Sequence, residues 1–182
     1  MDLVKTEEVY KKGSIVLTEK TFASEGKEVK RVSLSLGKNT VLIIPIDKDG
    51  NFFLGQQKRL GSENFIVEFP NGGIENGEDI DKAAKRELSE ELGLEGDMSY
   101  IGKFRPFSGL VDLEVNVYLC ENAHEQDNLN KLKPDFYENI ERKRFTQKEI
   151  YRMIKEGKIN QSYFLSSLSL YNSFKNWYIK SI

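Results

Sequence analysis

The sequence predicts an α/β fold in which a mixed β-sheet lies between helices. Three observations support this class: short apolar runs typical of strands recur between residues 14 and 119, a capped amphipathic helix interrupts them, and two helical patterns follow. The 182 residues suit one domain. A chain of this length buries about 70% of its unfolded surface, which is enough for a sizeable core.

Most of the predicted strands lie before the central helix. The first two, at residues 14–20 and 28–36, are expected to form an antiparallel pair around a turn at residues 24–26. The runs that follow are rich in β-branched and aromatic residues, which favour strands. These further strands are expected at residues 41–46, 52–57, 65–69, 100–104 and 113–119.

The central helix is predicted between Asp79 and Gly93. Asp79 suits the N-cap, and Gly93 suits the left-handed residue that ends a helix. Apolar residues recur at steps of three and four and predict one packing face. The residues of that face are Ile80, Ala83, Ala84, Leu88 and Leu92.

The last third of the chain is predicted to hold one loop and two helices. Residues 121–139 are polar and acidic and are expected to form a mobile loop. Residues 146–149 form a capping-box signature, which predicts a helix to about residue 156. A final helix is expected from about Gln161 to the C-terminus. Its larger apolar residues are expected in the core: Phe164, Leu165, Leu168, Phe174 and Trp177.

Composition narrows the function classes. The 27 basic and 29 acidic residues give a net charge of −2, which offers no reason to expect nucleic acid as the main partner. Cys120 is the one cysteine, so no intrachain disulfide can form, and a cytoplasmic location is expected. Cys120 lies in an apolar run and is expected in the core. No apolar stretch predicts a signal peptide or a membrane span. His124 is the only histidine, so no nucleophile set can be built around another one.

Three glutamates of the central helix predict a metal site. Glu87, Glu90 and Glu91 lie three and four residues apart, so they share neighbouring faces of the helix. Like charges at this spacing disfavour ionisation unless a cation is present. Mg²⁺ prefers carboxylate oxygen and is commonly shared with substrate phosphates, so it is the expected metal, with Mn²⁺ as an alternative. The glycine-rich stretch at residues 68–78 lets the backbone approach phosphate or metal closely.

The same stretch resembles the signature box of the Nudix hydrolases. Five residues separate Gly72 from Glu78, and after seven more the run at residues 86–94 supplies the arginine, the three glutamates and the closing glycine. Every defined position of the box is filled. The resemblance implies an α/β/α sandwich and the metal-dependent hydrolysis of nucleoside diphosphates linked to another group.

The resemblance also implies roles for individual box residues. Arg86 is expected to brace the neighbouring carboxylates, and Glu78 is expected to tie the loop to the helix. Glu87 and Glu91 are expected to hold the metal and to be catalytic together with Arg86. The implied metal ligands are the Asn71 carbonyl and the carboxylates of Glu87, Glu90 and Glu91.

Beyond the box, the chain is similar to the ADP-ribose pyrophosphatase branch of that family. Three stretches carry this likeness over most of the chain: the lead-in to the box, a loop after the central helix, and a late acidic loop followed by a helix. They lie at residues 56–59 with 66–72, at residues 106–112, and at residues 137–141 with 156–159.

This branch implies a substrate site. Arg59 is a candidate for holding the diphosphate because its planar guanidinium suits phosphate oxygens. Glu138 is the predicted catalytic group that activates the attacking water, because it lies in a loop that could close over the substrate. The other implied substrate-binding residues are Glu68, Ser108 and Gly109. Other carboxylates of the acidic loop stay open as alternatives to Glu138: Glu125, Asp127, Asp135 and Glu141.

The predicted reaction is the Mg²⁺-dependent hydrolysis of ADP-ribose, or a related ADP-sugar, to AMP and a sugar phosphate. Two positions depart from the branch: Ser108 replaces a proline, and Asn71 replaces an alanine. Hydrolysis of GDP-mannose or another nucleoside diphosphate sugar therefore stays open. A nucleotide-sensing module without turnover is a third reading, although the intact glutamates argue against it.

The resemblance implies a homodimer with a small-molecule nucleotide sugar as substrate, because related enzymes exchange N-terminal strands. Residues 1–37 are accordingly predicted as an N-terminal strand segment and candidate dimerisation arm. Residues 38–182 are predicted as the hydrolase domain.

Overall fold

The computed structural model describes residues 1–58, 65–127 and 140–180. The strands are β1 (Asp2–Lys12), β2 (Ile15–Ser24), β3 (Lys27–Ser35), β4 (Thr40–Pro45), β5 (Phe52–Gln57), β6 (Ile66–Glu68), β7 (Asn71–Gly73), β8 (Leu94–Phe104), β9 (Val111–Asp112), β10 (Val115–Glu125) and β11 (Glu141–Phe145). The helices are α1 (Ile80–Leu92), α2 (Gln147–Lys155) and α3 (Ser162–Lys180).

A mixed sheet forms the centre of the fold. Its strand order is β7-β4-β10-β8, in which β10 runs parallel to β4 and the other pairs are antiparallel. A smaller antiparallel sheet, β11-β5-β6, continues from it through a bridge between Ile46 and Phe52. The predicted α/β fold class with a mixed sheet is therefore confirmed.

Strand β4 shows why the fold has three layers. Its side chains alternate between the two faces of the sheet, as in any strand. Leu42 and Ile44 belong to one buried cluster, together with Phe164 and Leu168 of α3. Val41 and Ile43 belong to the other cluster, which α1 completes with Ala83, Ala84, Leu88 and Leu92. The sheet thus lies between α1 on one face and α3 on the other.

Helix α1 begins and ends where the sequence predicts. The Asp79 side chain accepts a hydrogen bond from the backbone N–H of Lys82, and Gly93 adopts a left-handed conformation with φ of 65°. Four of the five predicted core residues of this helix are buried. Ile80, the first residue of the helix, is the exception at 40% exposed. The Thr146–Glu149 capping box of α2 is also present.

The N-terminal sheet is larger than the predicted strand pair. Strands β1, β2 and β3 are antiparallel neighbours, and β9 joins β3 in parallel. Strand β1 is not predicted from the sequence, because its charged residues show no alternation between a buried and an exposed face. Every residue of β1 is in fact exposed. The strand is therefore held by backbone pairing with β2 and not by a buried side-chain face.

The predicted mobile loop at residues 121–139 is wrong at its start. Strand β10 continues through Glu125, so His124 and Glu125 lie in a strand. Glu141 likewise lies in β11, and the side chain of Arg142 binds that of Glu125. Pairing of β10 with β8 explains the extension, because β8 begins at Leu94 and not near residue 100. Residues 128–139 lie outside the described residues.

The C-terminal helix contributes fewer core residues than predicted. Phe164 and Leu168 are buried, and Phe174 packs partly against them. Leu165 is 39% exposed because it lies on the outer face of α3, so its predicted core position is wrong. The side chain of Trp177 lies outside the described part of the chain. The predicted burial of Cys120 is confirmed.

Among the described residues, none of the helices has the length and apolar character that a membrane span requires.

One hydrogen bond ties the start of α1 to the sheet and yields a stability prediction. The Tyr118 hydroxyl of β10 donates to Asp81 of α1 at 2.5 Å, and burial raises the pKa of Tyr118. We expect Tyr118→Phe to lower the free energy of unfolding by about 1–2 kcal/mol, since a bond to a charged acceptor is lost. Urea denaturation measures this. Tyr100→Phe, a half-exposed ring packed edge-on against Tyr118, is the control. Equal effects of the two substitutions would contradict the prediction.

Candidate active site

Arg86, in the middle of α1, is the centre of a polar network between this helix and the loop before it. Its guanidinium donates to both carboxylate oxygens of Glu78, at 2.8 and 2.9 Å. One terminal nitrogen donates to Glu87 at 2.6 Å and to Glu90 at 3.0 Å. The other also reaches the backbone carbonyl of Gly73 at 3.0 Å. A single cation therefore holds three carboxylates and the loop backbone together.

Glu78 connects the loop before the helix to this network. Its second oxygen also accepts a hydrogen bond from the backbone N–H of Glu75 at 2.9 Å. The bonds from Arg86, followed by the bond from Glu75, lower the pKa of Glu78 to about 2. Glu78 consequently stays ionised across the whole physiological range, and the loop at residues 75–78 is clamped against the helix.

Gly72 allows the closest approach in the site. A methyl group placed on its α-carbon would lie 2.0–2.2 Å from the carboxylate of Glu87. Only glycine fits this position, because heavy atoms do not approach to that distance. Glu87 itself is 9% exposed, which is unusual for a glutamate. The glycine of β7 thus brings the backbone directly against a buried carboxylate.

Asn71 completes the corner on the same strand. Its backbone N–H donates to Glu91 at 3.2 Å, and its side-chain amide donates back to the carbonyl of Phe69 at 2.9 Å. The fold therefore brings five predicted site residues together at the junction of β7 and α1. We call these residues the acid corner: Asn71, Arg86, Glu87, Glu90 and Glu91.

The donor types of the acid corner fit a hard divalent cation. Carboxylate and backbone carbonyl oxygens are the ligands that Mg²⁺ and Mn²⁺ accept. The missing side chain of Gly72 leaves the Glu87 carboxylate directly against the strand that carries Asn71. In the described ranges, no three acidic, histidine or cysteine side chains meet with the spacing of a complete ligand set. Arg86 instead holds Glu87 and Glu90 in this arrangement.

A cleft of about 500 Å³ borders the acid corner. Glu68 lies in its wall, where the side-chain amide of Gln57 donates to it at 2.6 Å. The start of α3 contributes two residues that the sequence analysis did not assign to the site, Gln161 and Tyr163. The apolar spacing of α3 indicated only a core helix, so no local signal marked them. The cleft is lined by Thr40, Ile66, Glu68, Asn71, Gly72, Gly73, Gln161 and Tyr163.

Ser108 and Gly109 lie elsewhere, in a separate cavity of about 280 Å³ against the N-terminal sheet. Three cationic residues line this cavity: Lys20, Arg31 and Arg105. Within one chain, the structure therefore does not place Ser108 and Gly109 at the acid corner. The loop that carries them is strained, since Phe107 has a φ of 53°.

Arg59, the candidate for holding the diphosphate, and Glu138, the candidate for activating water, lie outside the described residues.

Comparisons with known proteins agree with the fold. The family model for the NUDIX domain matches residues 37–168. A methanol dehydrogenase activator of Bacillus methanolicus is 28% identical over 161 residues, which cover 87% of this chain and 85% of that protein. An ADP-ribose pyrophosphatase of Bacillus subtilis strain 168 is 30% identical over 143 residues, which cover 68% of this chain and 77% of that protein. A crystal structure of an ADP compounds hydrolase superposes with a TM-score of 0.81 at 20% identity, covering 94% of this chain and 92% of that one.

The chain belongs to the Nudix family, because the family model spans well over half of it. The predicted enzyme class, a Nudix pyrophosphohydrolase, is confirmed by these relatives. The predicted resemblance to the ADP-ribose pyrophosphatase branch is confirmed as well.

Gly72 provides a test of the acid corner. We expect Gly72→Ala to weaken Mn²⁺ binding about tenfold or more, because the new methyl group displaces the Glu87 carboxylate. Electron paramagnetic resonance of free Mn²⁺ measures the affinity. Gly73→Ala is the matched control, since its methyl group meets only the flexible side chain of Lys38, at 3.2 Å. Unchanged Mn²⁺ affinity in Gly72→Ala would show that Glu87 does not contribute to a metal site.

Glu78 gives a prediction for stability against pH. Its pKa is lowered from 4.5 to about 2 in the folded chain, so its stabilisation is complete above pH 4.5 and is lost as the pH falls towards 2. Glu78→Gln should lower the free energy of unfolding at neutral pH by about 1–3 kcal/mol. The gap between variant and wild type should narrow through that acid window. Urea denaturation at a series of pH values tests this, and a gap that stays constant would refute it.

Proposed function

We propose that this Nudix enzyme hydrolyses the pyrophosphate bond of ADP-ribose or a related ADP-sugar in a Mg²⁺-dependent reaction, giving AMP and a sugar phosphate. The observation that carries the proposal is the close packing of Glu87 against Gly72, braced by Arg86. The relatives support the substrate class, since they include an ADP-ribose pyrophosphatase of Bacillus subtilis and an ADP compounds hydrolase of Escherichia coli strain K12. The latter is 24% identical over 134 residues.

In the proposed mechanism, the residues of the acid corner hold a divalent cation. A bound Mg²⁺ would lower the pKa of a water molecule and neutralise charge on the diphosphate. Glu87 and Glu91, with Glu90 assisting and the Asn71 carbonyl contributing, would hold the cation. Arg86 fixes the orientation of Glu87 and Glu90 through its hydrogen bonds, so the site needs little reorganisation.

Two further roles complete the proposed mechanism. Glu138 would position or deprotonate the attacking water, and Arg59 would hold the diphosphate. With these groups in place, most of the rate enhancement comes from alignment and charge neutralisation at phosphorus.

The departures from the branch do not disturb the proposed chemistry. The Asn71 side chain donates to the carbonyl of Phe69, so the residue changes the wall of the cleft and not the course of the backbone. Ser108 lies in the cationic cavity beside Lys20 and Arg31, where it would contact another part of a substrate. Both positions therefore affect the choice of nucleotide and sugar, and GDP-mannose is the alternative substrate.

A substrate panel with and without chelator tests the proposal. We expect chelator-sensitive hydrolysis with a preference for ADP-ribose over GDP-mannose, UDP-glucose, NADH, a dinucleoside polyphosphate and a nucleoside triphosphate. Glu87→Gln and Glu91→Gln should each lower kcat/KM about 100-fold or more, because a lost metal ligand costs several kcal/mol of transition-state stabilisation. Glu95→Gln, an exposed glutamate on β8, is the control. Phosphate released after coupling to a phosphatase is the readout.

The outcomes of this panel separate the alternatives. Preference for another nucleotide sugar would keep the metal-dependent mechanism and replace the substrate. Binding of ADP-ribose without turnover would favour a nucleotide-sensing module. Glutamate variants within about threefold of the wild type would refute the metal assignment.

The N-terminal sheet supports a homodimer. Strand β1 has a free edge in the described chain, and its exposed apolar residues would be covered by a second copy. The exposed apolar residues of β1 are Leu3, Val4, Val9 and Tyr10. The proposed division makes residues 1–37 the dimerisation arm and residues 38–182 the hydrolase domain.

Light scattering coupled to size-exclusion chromatography tests the dimer. We expect twice the mass of the chain for the wild type and a shift towards monomer for the double substitution Leu3→Lys and Val9→Lys, because buried apolar contacts are replaced by like charges. The double substitution Lys5→Gln and Lys12→Gln on the same strand is the control. A wild type that stays monomeric at micromolar concentration would refute the dimer.

A further inference from the structure

The cleft beside the acid corner has a wall that the Nudix box does not supply. Gln161 immediately precedes α3, and its carbonyl accepts the hydrogen bond of Leu165 at 3.1 Å. Tyr163 lies in the first turn, where its ring packs edge-on against Phe104 with ring centres 5.7 Å apart. Both residues line the cleft together with Glu68. The side-chain oxygen of Gln161 accepts a hydrogen bond from the backbone N–H of Asn160 at 3.3 Å, so the amide NH₂ group is the part of this side chain that would donate to a ligand. The start of α3 therefore contributes an amide donor and an aromatic ring to the wall of the cleft.

Within the described part of the chain, the lining of the cleft offers no cation to a phosphate group. Among the described residues that line it, Glu68 is the only acidic group, and none is lysine or arginine. Gln57, which is buried, holds the Glu68 carboxylate in place with a hydrogen bond of 2.6 Å. A carboxylate accepts hydrogen bonds only, whereas amide and hydroxyl groups both donate and accept. The wall formed by Thr40, Glu68 and Gln161 thus matches a neutral ligand that carries several hydroxyl groups.

The cleft is continuous with the acid corner through β7. Asn71 and Gly72 line the cleft, and the same two residues contact Glu91 and Glu87. A diphosphate bound at the acid corner would therefore place its neighbouring group in the cleft. The volume of about 500 Å³ has room for a sugar. Polar groups on several sides suit a sugar better than a nucleobase, which binds best in a flat apolar slot.

We propose that Glu68 and Gln161, with the ring of Tyr163 as the apolar floor, bind the hydroxyl groups of the terminal sugar and determine specificity for it. The inference rests on the proposed hydrolysis of an ADP-sugar and names the residues that choose the sugar. The first turn of α3 acts through binding and not through chemistry at phosphorus.

Two substrates that differ only in the terminal group test this assignment. One is ADP-ribose, and the other is ADP esterified with n-pentanol, which keeps the diphosphate but lacks the sugar hydroxyls. We expect Gln161→Leu and Glu68→Gln each to lower kcat/KM for ADP-ribose about tenfold or more, chiefly by raising KM, because a polar site partner is lost. For the pentyl ester, kcat/KM should change by less than about threefold.

Gln147→Leu is the matched control, since Gln147 is an exposed glutamine at the start of α2. It should leave kcat/KM for both substrates unchanged. Tyr163→Phe keeps the ring and should retain the preference for ADP-ribose, which separates the proposed role of the ring from that of the hydroxyl. Circular dichroism checks that every variant is folded.

Each outcome of the kinetic comparison either supports or overturns the specificity role. Equal losses on both substrates would place Glu68 or Gln161 in the chemistry at phosphorus and overturn the specificity role, as would unchanged kinetics on both. If the wild type hydrolyses neither substrate, the proposed function fails, and ligand-detected NMR with ribose, which carries the hydroxyl groups without a phosphate, tests the cleft by itself. Saturation transfer that is lost in Gln161→Leu and kept in Gln147→Leu would support the sugar site. Equal transfer in both variants would overturn it.

Discussion

The contact between the Glu87 carboxylate and the backbone of Gly72 is the constraint on which the site depends. A carboxylate this near to a strand and this deeply buried is costly, because water cannot solvate its charge. Arg86 offsets the cost with short hydrogen bonds to Glu87 and Glu90. The same guanidinium donates to both carboxylate oxygens of Glu78, and this pair of hydrogen bonds fixes the orientation of the guanidinium plane. The loop, the helix and the acidic cluster are thereby fixed as one unit.

The sheet in turn fixes that unit. One face of β4 packs against α1, and the Tyr118 hydroxyl of β10 binds Asp81 in the first turn of the helix. Helix α1 is therefore held at its start by a hydrogen bond and along its length by apolar contacts. This support matters because a shift of α1 by a fraction of an ångström would change the distance between Glu87 and β7. A site that relies on preorganised oxygens tolerates little such motion.

Local signals predicted the helix boundaries, the resemblance to the Nudix box named the residues of the acid corner, and non-local pairing decided the rest. Asp79 and Gly93 act within a few residues of themselves, so their roles as caps could be inferred directly. Strand β1 gave no such signal, because it pairs with β2 through backbone groups that any sequence carries. Gln161 was missed for a related reason. The place of Gln161 in the cleft depends on how α3 is oriented across the sheet. The apolar residues of α3 indicate only that the helix packs against the core.

The two cavities differ in the charge of the side chains that line them. The cleft at the acid corner is lined by the Glu68 carboxylate and neutral polar groups, whereas the cavity at Ser108 is lined by Lys20, Arg31 and Arg105. Lys20 and Arg31 face each other across β2 and β3. The Asp112 carboxylate lines the same cavity, so its three cationic side chains exceed the acidic one by two charges. A nucleotide sugar carries its negative charge in the middle and neutral groups at its ends. Under the proposed function, the diphosphate would lie at the acid corner, where a cation would offset its charge, and a neutral end of the ligand would lie in the cleft.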